Sequence, residues 1–214
     1  EGIRYYSNVM ATFTPSLRKA IEKAKALDIK TIAPGHGPVY RKNTQKIIDD
    51  YSRFSLYAEG AGKNEVTILW GSMYGMTSKA VDCAEGILQR EGVKYNKLKM
   101  PLTSESEMVA TVFRSAGIII AAPTYEYKLF PPVAAALNEL GRKKITGKAV
   151  FRFGSYGWSG GAEKELVEII ERNKMNWDFI ESVEFEGAPK EEDLLKVEAG
   201  VLELIKKMRE KAVE

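Results

Sequence analysis

The sequence is nearly empty of histidine and cysteine, with one of each, His36 and Cys83. A lone cysteine closes no internal disulfide. A nucleophile, histidine and acid set would have to recruit His36 from a segment apart from every glycine-rich loop, so hydrolytic chemistry is not expected. No apolar run approaches the roughly 18 to 20 residues that cross a bilayer, and no secretory leader pattern opens the chain. Charge of one sign is missing too. The 32 basic and 29 acidic residues are interspersed, leave a net charge of +3, and form no block beyond short runs such as Arg142 to Lys144. A nucleic-acid partner therefore has no footprint, and no membrane association is expected. A reducing cytoplasm is the expected compartment. The chain opens on Glu1 in what reads as the middle of a domain, which suggests a preceding segment.

What is present is patterned. Thr14-Pro15-Ser16 reads as a helix start with threonine at the cap and proline in the first turn, and Leu17, Ile21, Ala24 and Leu27 give an amphipathic helix over 14–28. A short β-like run from Lys30 to Ala33, a Pro34-Gly35-His36-Gly37-Pro38 turn and a helix over 43–57 complete an opening αβα piece. That piece is too small to hold a core alone. Residues 59–64 have the glycine-rich composition of a linker, so the reading divides the chain into 1–58, 59–64 and 65–214.

From Glu65 onward, β-rich runs alternate with helical stretches. Strands are expected at 65–70, 94–99, 117–122, 148–153 and 180–185, and helices at 77–91, 104–115, 131–142, 161–173 and 190–211. Five βα units imply an α/β fold, a doubly wound five-stranded parallel sheet with helices on both faces. Ligands of such sheets sit beyond the carboxyl ends of the strands, where the strand order reverses. The loops after strands one, three and four are therefore where chemistry belongs.

The first loop, Gly71-Ser72-Met73-Tyr74-Gly75-Met76-Thr77-Ser78-Lys79, joins hydroxyls and glycines to a helix N-terminus, the ingredients of a phosphate cradle. It lacks both the nucleoside-triphosphate loop pattern and the Gly-x-Gly-x-x-Gly fingerprint, so a monophosphate fits better. A plain βα turn capped by Thr77 would look much the same. The second loop, Pro123-Thr124-Tyr125-Glu126-Tyr127, offers aromatics that could cover a flat ring. The third, Gly154-Ser155-Tyr156-Gly157-Trp158-Ser159-Gly160-Gly161, sets a tyrosine and a tryptophan among four glycines, so backbone could approach a planar ligand closely. Each aromatic could equally be packed at a sheet edge. Cys83 reads as a small buried hydrophobe and Lys79 as a solvated helix residue.

Ser72-Met73-Tyr74-Gly75-Met76-Thr77, Pro123-Thr124-Tyr125 and Gly154 through Gly161 resemble the three FMN loops of flavodiiron proteins, the A-type flavoproteins that reduce oxygen or nitric oxide. The resemblance covers essentially the whole chain. It implies a flavodoxin-like FMN domain preceded by the end of a metallo-β-lactamase-like diiron domain. Ala33-Pro34-Gly35-His36-Gly37-Pro38 resembles the segment carrying that family's last iron-ligating histidine, which would make His36 a metal ligand. The sequence departs from the family in lacking the upstream His-x-Glu-x-Asp-His cluster, a further histidine and a bridging carboxylate. One imidazole cannot hold two irons. Further implications are an oxidoreductase of which this chain supplies the electron-carrying half, with no catalytic side chain of its own. The family context adds a redox donor such as rubredoxin or a flavin reductase and a head-to-tail dimer or tetramer. An FMN-dependent NAD(P)H:quinone reductase and a flavin-free interaction module of the same fold are the alternatives.

Overall fold

The computed structural model describes residues 1–213. Its centre is an all-parallel sheet of β1 (Lys63–Trp70), β2 (Lys94–Lys99), β3 (Ser115–Ala121) and β6 (Ala149–Tyr156) in the spatial order β2-β1-β3-β6. Two short strands, β7 (Asp178–Phe179) and β8 (Val183–Glu186), share the next position along β6. This is the flavodoxin-like order, and the doubly wound parallel sheet expected from the sequence is the architecture observed. The direction of winding reverses after β2, so the switch point lies between β1 and β3.

The strand expected at 180–185 is interrupted. Phe151 and Arg152 of β6 lie opposite three residues, Ile180 to Ser182, so the edge carries one extra residue, a β-bulge. The bulge keeps Ile180, Val183 and Phe185 in one core despite their odd spacing. Hydrophobic periodicity alone could not separate that arrangement from a continuous strand.

Both faces of the sheet are covered, which is why the strands read as unbroken apolar runs. One face, carrying Val66, Ile68, Ile119, Phe151 and Phe153, packs on α4 (Met76–Arg90) and α8 (Glu191–Lys211). The other, with Leu69, Ile118, Ile120 and Val150, is covered by α5 (Glu105–Arg114), α6 (Pro131–Arg142) and α7 (Ala162–Arg172). Among the described residues, no helix is long and apolar enough to cross a membrane.

The opening segment is helical from its start: α1 (Gly2–Tyr5), a π turn over Tyr6–Met10, a 3₁₀ turn over Ala11–Phe13, α2 (Thr14–Lys25) and α3 (Thr44–Tyr57). Thr14 is not a cap, because the chain is already helical before it. Its hydroxyl instead donates to the Ala11 carbonyl (2.7 Å) and pairs with the Tyr6 hydroxyl (3.0 Å). The β-like run at 30–33 amounts to one bridge, Ile32 to Tyr40. This segment has no core separate from the sheet. Tyr6 and Tyr57 are fully buried, and Tyr6 stacks within 5.6 Å of Phe113 on α5.

The joint at 59–64 is fastened rather than loose. Lys148, entirely buried just before β6, donates from Nζ to the carbonyls of Ala61 (2.6 Å) and Phe113 (2.9 Å). Gly62 accepts from the Val213 N–H (2.8 Å).

Candidate functional site at the carboxyl ends of the strands

All three loops emerge at the same end of the sheet, after β1, β3 and β6. They meet there because of backbone contacts that only small residues allow. A side chain on Gly154 would begin 1.8 Å from the Ala122 carbonyl oxygen, and one on Gly161 (φ +132°) would begin 2.2 Å from that of Tyr127. The second loop thus lies directly on the third. Between the first and third, the buried Thr77 and Ser155 hydroxyls bond at 3.0 Å. The Gly71 N–H donates to Ala121 (2.9 Å), tying the first loop to the second strand of the site.

Each loop has its own internal order. In the first, the Gly75 N–H donates to Ser72 Oγ (3.0 Å), and Gly75 (φ +83°) is the residue that caps α4. The capping role considered for Thr77 therefore falls to Gly75, since the Thr77 hydroxyl is engaged with Ser155. Ser78 Oγ donates to the Gly75 carbonyl (2.5 Å), so the donors left for an anion are the first-turn N–H groups of α4 and the Ser72 hydroxyl hydrogen. These can hold a phosphate without a lysine.

The second loop folds into a hairpin that periodicity did not reveal, β4 (Thr124–Tyr125) with β5 (Lys128–Leu129). Its two-residue turn puts Glu126 (φ +46°) and Tyr127 (φ +64°) in the left-handed region, the geometry such turns demand, here without glycine or asparagine. Glu165 of α7 accepts the Leu129 N–H at 2.7 Å and holds the hairpin down. Pro123 is buried, and Phe130 donates its N–H to the Pro123 carbonyl (3.1 Å).

In the third loop, Gly154, Ser155 and Tyr156 belong to the end of β6, and the loop proper is Gly157-Trp158-Ser159-Gly160-Gly161. Met73, Tyr74, Tyr125 and Trp158 are exposed at the rim, Trp158 at 84% and Tyr74 at 83%, while Met76 is half-buried. Large exposed aromatics above a tightly locked polar floor are what a flat ring with a phosphate tail would bury. One atom of the second loop bears on this. Thr124 Oγ1 is buried without a hydrogen-bond partner, an arrangement that costs about 1–3 kcal/mol unless a ligand or water completes it. The residues present therefore fit a monophosphorylated planar cofactor.

They do not fit a diiron centre. His36 lies exposed in the opening segment, its ring 5.8 Å from that of Tyr5, and among the described residues no three His, Cys, Asp or Glu side chains converge on a common point. His36 lines an open cavity of about 800 Å³ between α2 and α3, walled by Ile21, Ile32, Tyr40 and Tyr51. Cys83 is half-buried on α4, and burial pushes its thiol pKa up, which makes it a poor nucleophile.

No protein-family model matches the chain. It is 28% identical over 196 residues to a nitric oxide reductase of Moorella thermoacetica, an alignment covering 91% of this chain and 48% of that protein. It is 32% identical over 164 residues to an anaerobic nitric oxide reductase flavorubredoxin of Vibrio vulnificus, covering 75% of this chain and 33% of that one. Among solved structures, the flavodiiron protein from Giardia intestinalis superposes with a TM-score of 0.83 at 26% identity, over 98% of this chain and 51% of that one. The chain thus spans about half the length of the first of these relatives and a third of the second.

Proposed function

This chain is a homologue of the flavodiiron proteins, and on that premise we propose that residues 65–214 bind one FMN and serve as the electron-carrying part of an oxidoreductase. When bound, FMN supplies the electron-transfer chemistry. The chain's own residues bind and orient it. The α4 N-terminus and the Ser72 hydroxyl hold the phosphate, Thr124 Oγ1 meets a polar group of the cofactor, and the aromatics of the second and third loops cover the ring. The observation carrying this reading is the mutual locking of the three loops, the second of which holds a buried, unpartnered Thr124 hydroxyl.

For the full-length protein, we infer a reductase of O2 to water or of NO to N2O, fed by a redox donor such as rubredoxin or a flavin reductase and assembled as a head-to-tail dimer or tetramer. Residues 1–58 would be the end of its metallo-β-lactamase-like diiron domain, with 59–64 the joint and His36 one iron ligand. The remaining ligands would come from an upstream part. What supports this is the length of the relatives and the helical opening segment.

The test is a visible absorption spectrum of the purified chain after incubation with FMN and desalting. A retained two-band flavin spectrum, at about one FMN per chain, is expected. A folded, colourless protein would overturn the electron-carrier reading.

A further inference from the structure

Arg152 is the largest side chain in the molecule that is completely buried, and it stands on β6 two residues before Gly154, on the face otherwise lined by Val150. Its Nη1 lies 2.8 Å from Glu184 Oε1 of β8 and 3.6 Å from Glu163 Oε2 in the first turn of α7. Those carboxylates frame the third loop. Glu184 pairs in register with Gly154, where the loop is entered, and Glu163 follows Gly161, where it is left. The other oxygen of Glu184 lies 3.2 Å from where a side chain on Gly160 would begin, and Arg152 Nη2 lies 3.4 Å from the same point on Gly154.

The bulge in the sheet edge falls opposite Arg152. Without the extra residue, Glu184 would exchange faces with its apolar neighbours Val183 and Phe185 and leave the arginine. The ion cluster and the bulge are therefore one device.

Energetically the cluster is a poor way to fill a core. The guanidinium makes no well-angled hydrogen bond, nor do the carboxylate oxygens facing it. An apolar side chain of similar volume is commonly as stabilising as a buried ion pair. What an apolar side chain cannot do is bind the entry, the exit and the glycine stretch of one loop to a single point.

We propose that Arg152 is a positioning residue that, through Glu184 and Glu163, holds residues 157–161 in the shape the flavin site requires. The part of this that concerns FMN rests on the function proposed above; the holding of the loop does not.

The test compares the full chain with Arg152→Met, Arg152→Lys and Glu184→Gln, the last leaving Glu163 to the arginine should Arg152→Met fail to fold. Amide hydrogen exchange without ligand is read in the strands and at the hydrogen-bonded amides that bracket 157–161, Gly187 (to the Tyr156 carbonyl) and Glu165 (to the Gly161 carbonyl), and FMN affinity by quenching of flavin fluorescence. In Arg152→Met, exchange at Gly187 and Glu165 should accelerate roughly tenfold or more with the strands still protected, and FMN should bind roughly tenfold or more weakly. The visible circular dichroism of bound flavin should change, and Arg152→Lys should restore most of each loss. Unchanged exchange and affinity would overturn the proposal. So would uniform acceleration across the sheet that lysine fails to rescue, which marks a purely structural role. If the unmodified chain binds no FMN, the functional reading fails while the exchange comparison still decides whether Arg152 holds the loop.

Discussion

The hydroxyl of Thr124 separates what stabilises the fold from what serves the ligand. Its oxygen is buried and unbonded, so Thr124→Val removes an unsatisfied group at almost constant shape and should leave the melting temperature of the ligand-free chain unchanged or slightly higher. The same change should weaken FMN binding by about 1 kcal/mol, roughly fivefold, measured by fluorescence titration. Lower stability with unaltered affinity would show that the hydroxyl serves the fold and not a ligand. Gly161 shows the opposite allocation. Its backbone geometry and its contact with Tyr127 are structural requirements, yet their effect is to seat one loop of the site upon another.

Among the elements, the joint between the opening helices and the sheet depends on Lys148. Burial lowers its pKa to about 7, whereas in the unfolded chain it titrates near the ordinary lysine value of about 10.5. Between those values the unfolded state carries the extra proton, so stability should rise with pH across that window and fall as pH drops through it, levelling off below about 7. Lys148→Met should flatten the profile, read as the difference in melting temperature between the two proteins from pH 7 to 10. Parallel curves would show that Lys148 contributes no pH dependence. Taking the difference matters because burial raises the phenol pKa values of Tyr6, Tyr51 and Tyr57, which lowers stability toward the alkaline end in both proteins. The sheet's outer edge is read in the same terms: β2 is rich in lysine, which keeps an edge strand from pairing with another chain.

For the whole molecule, the decisive fact is that the opening segment and the sheet share one core. Phe54 is buried 5.5 Å from the Tyr6 ring, and Tyr6 and Tyr57 both stack on Phe113 of the sheet domain. Cutting this cluster at Phe54→Ala should cost about 3–5 kcal/mol and lower a single calorimetric transition as one unit. Two separated transitions in the unmodified chain would show instead that the segments unfold independently. A shared core also gives the three loops a fixed position relative to the opening segment that carries His36.

The repeating βα pattern determined the parallel sheet, because burying both faces of a strand leaves a continuous apolar run such as Ile118-Ile119-Ile120 that no half-exposed strand would show. It likewise determined which loops lie at the carboxyl ends of β1, β3 and β6, since connectivity alone assigns them. Four things were decided only in three dimensions: the hairpin of Thr124–Leu129, the bulge opposite Arg152, the Thr77–Ser155 bond and the clamp of Lys148. Each depends on which atoms meet across long separations in sequence or on backbone angles that local composition does not favour. Glu126 and Tyr127 occupy a turn that asparagine and glycine prefer, and Arg152 occupies a strand position that valine or isoleucine would suit. Local propensity reports the average environment of a residue type, whereas these residues are held by particular partners that only the folded chain brings to them.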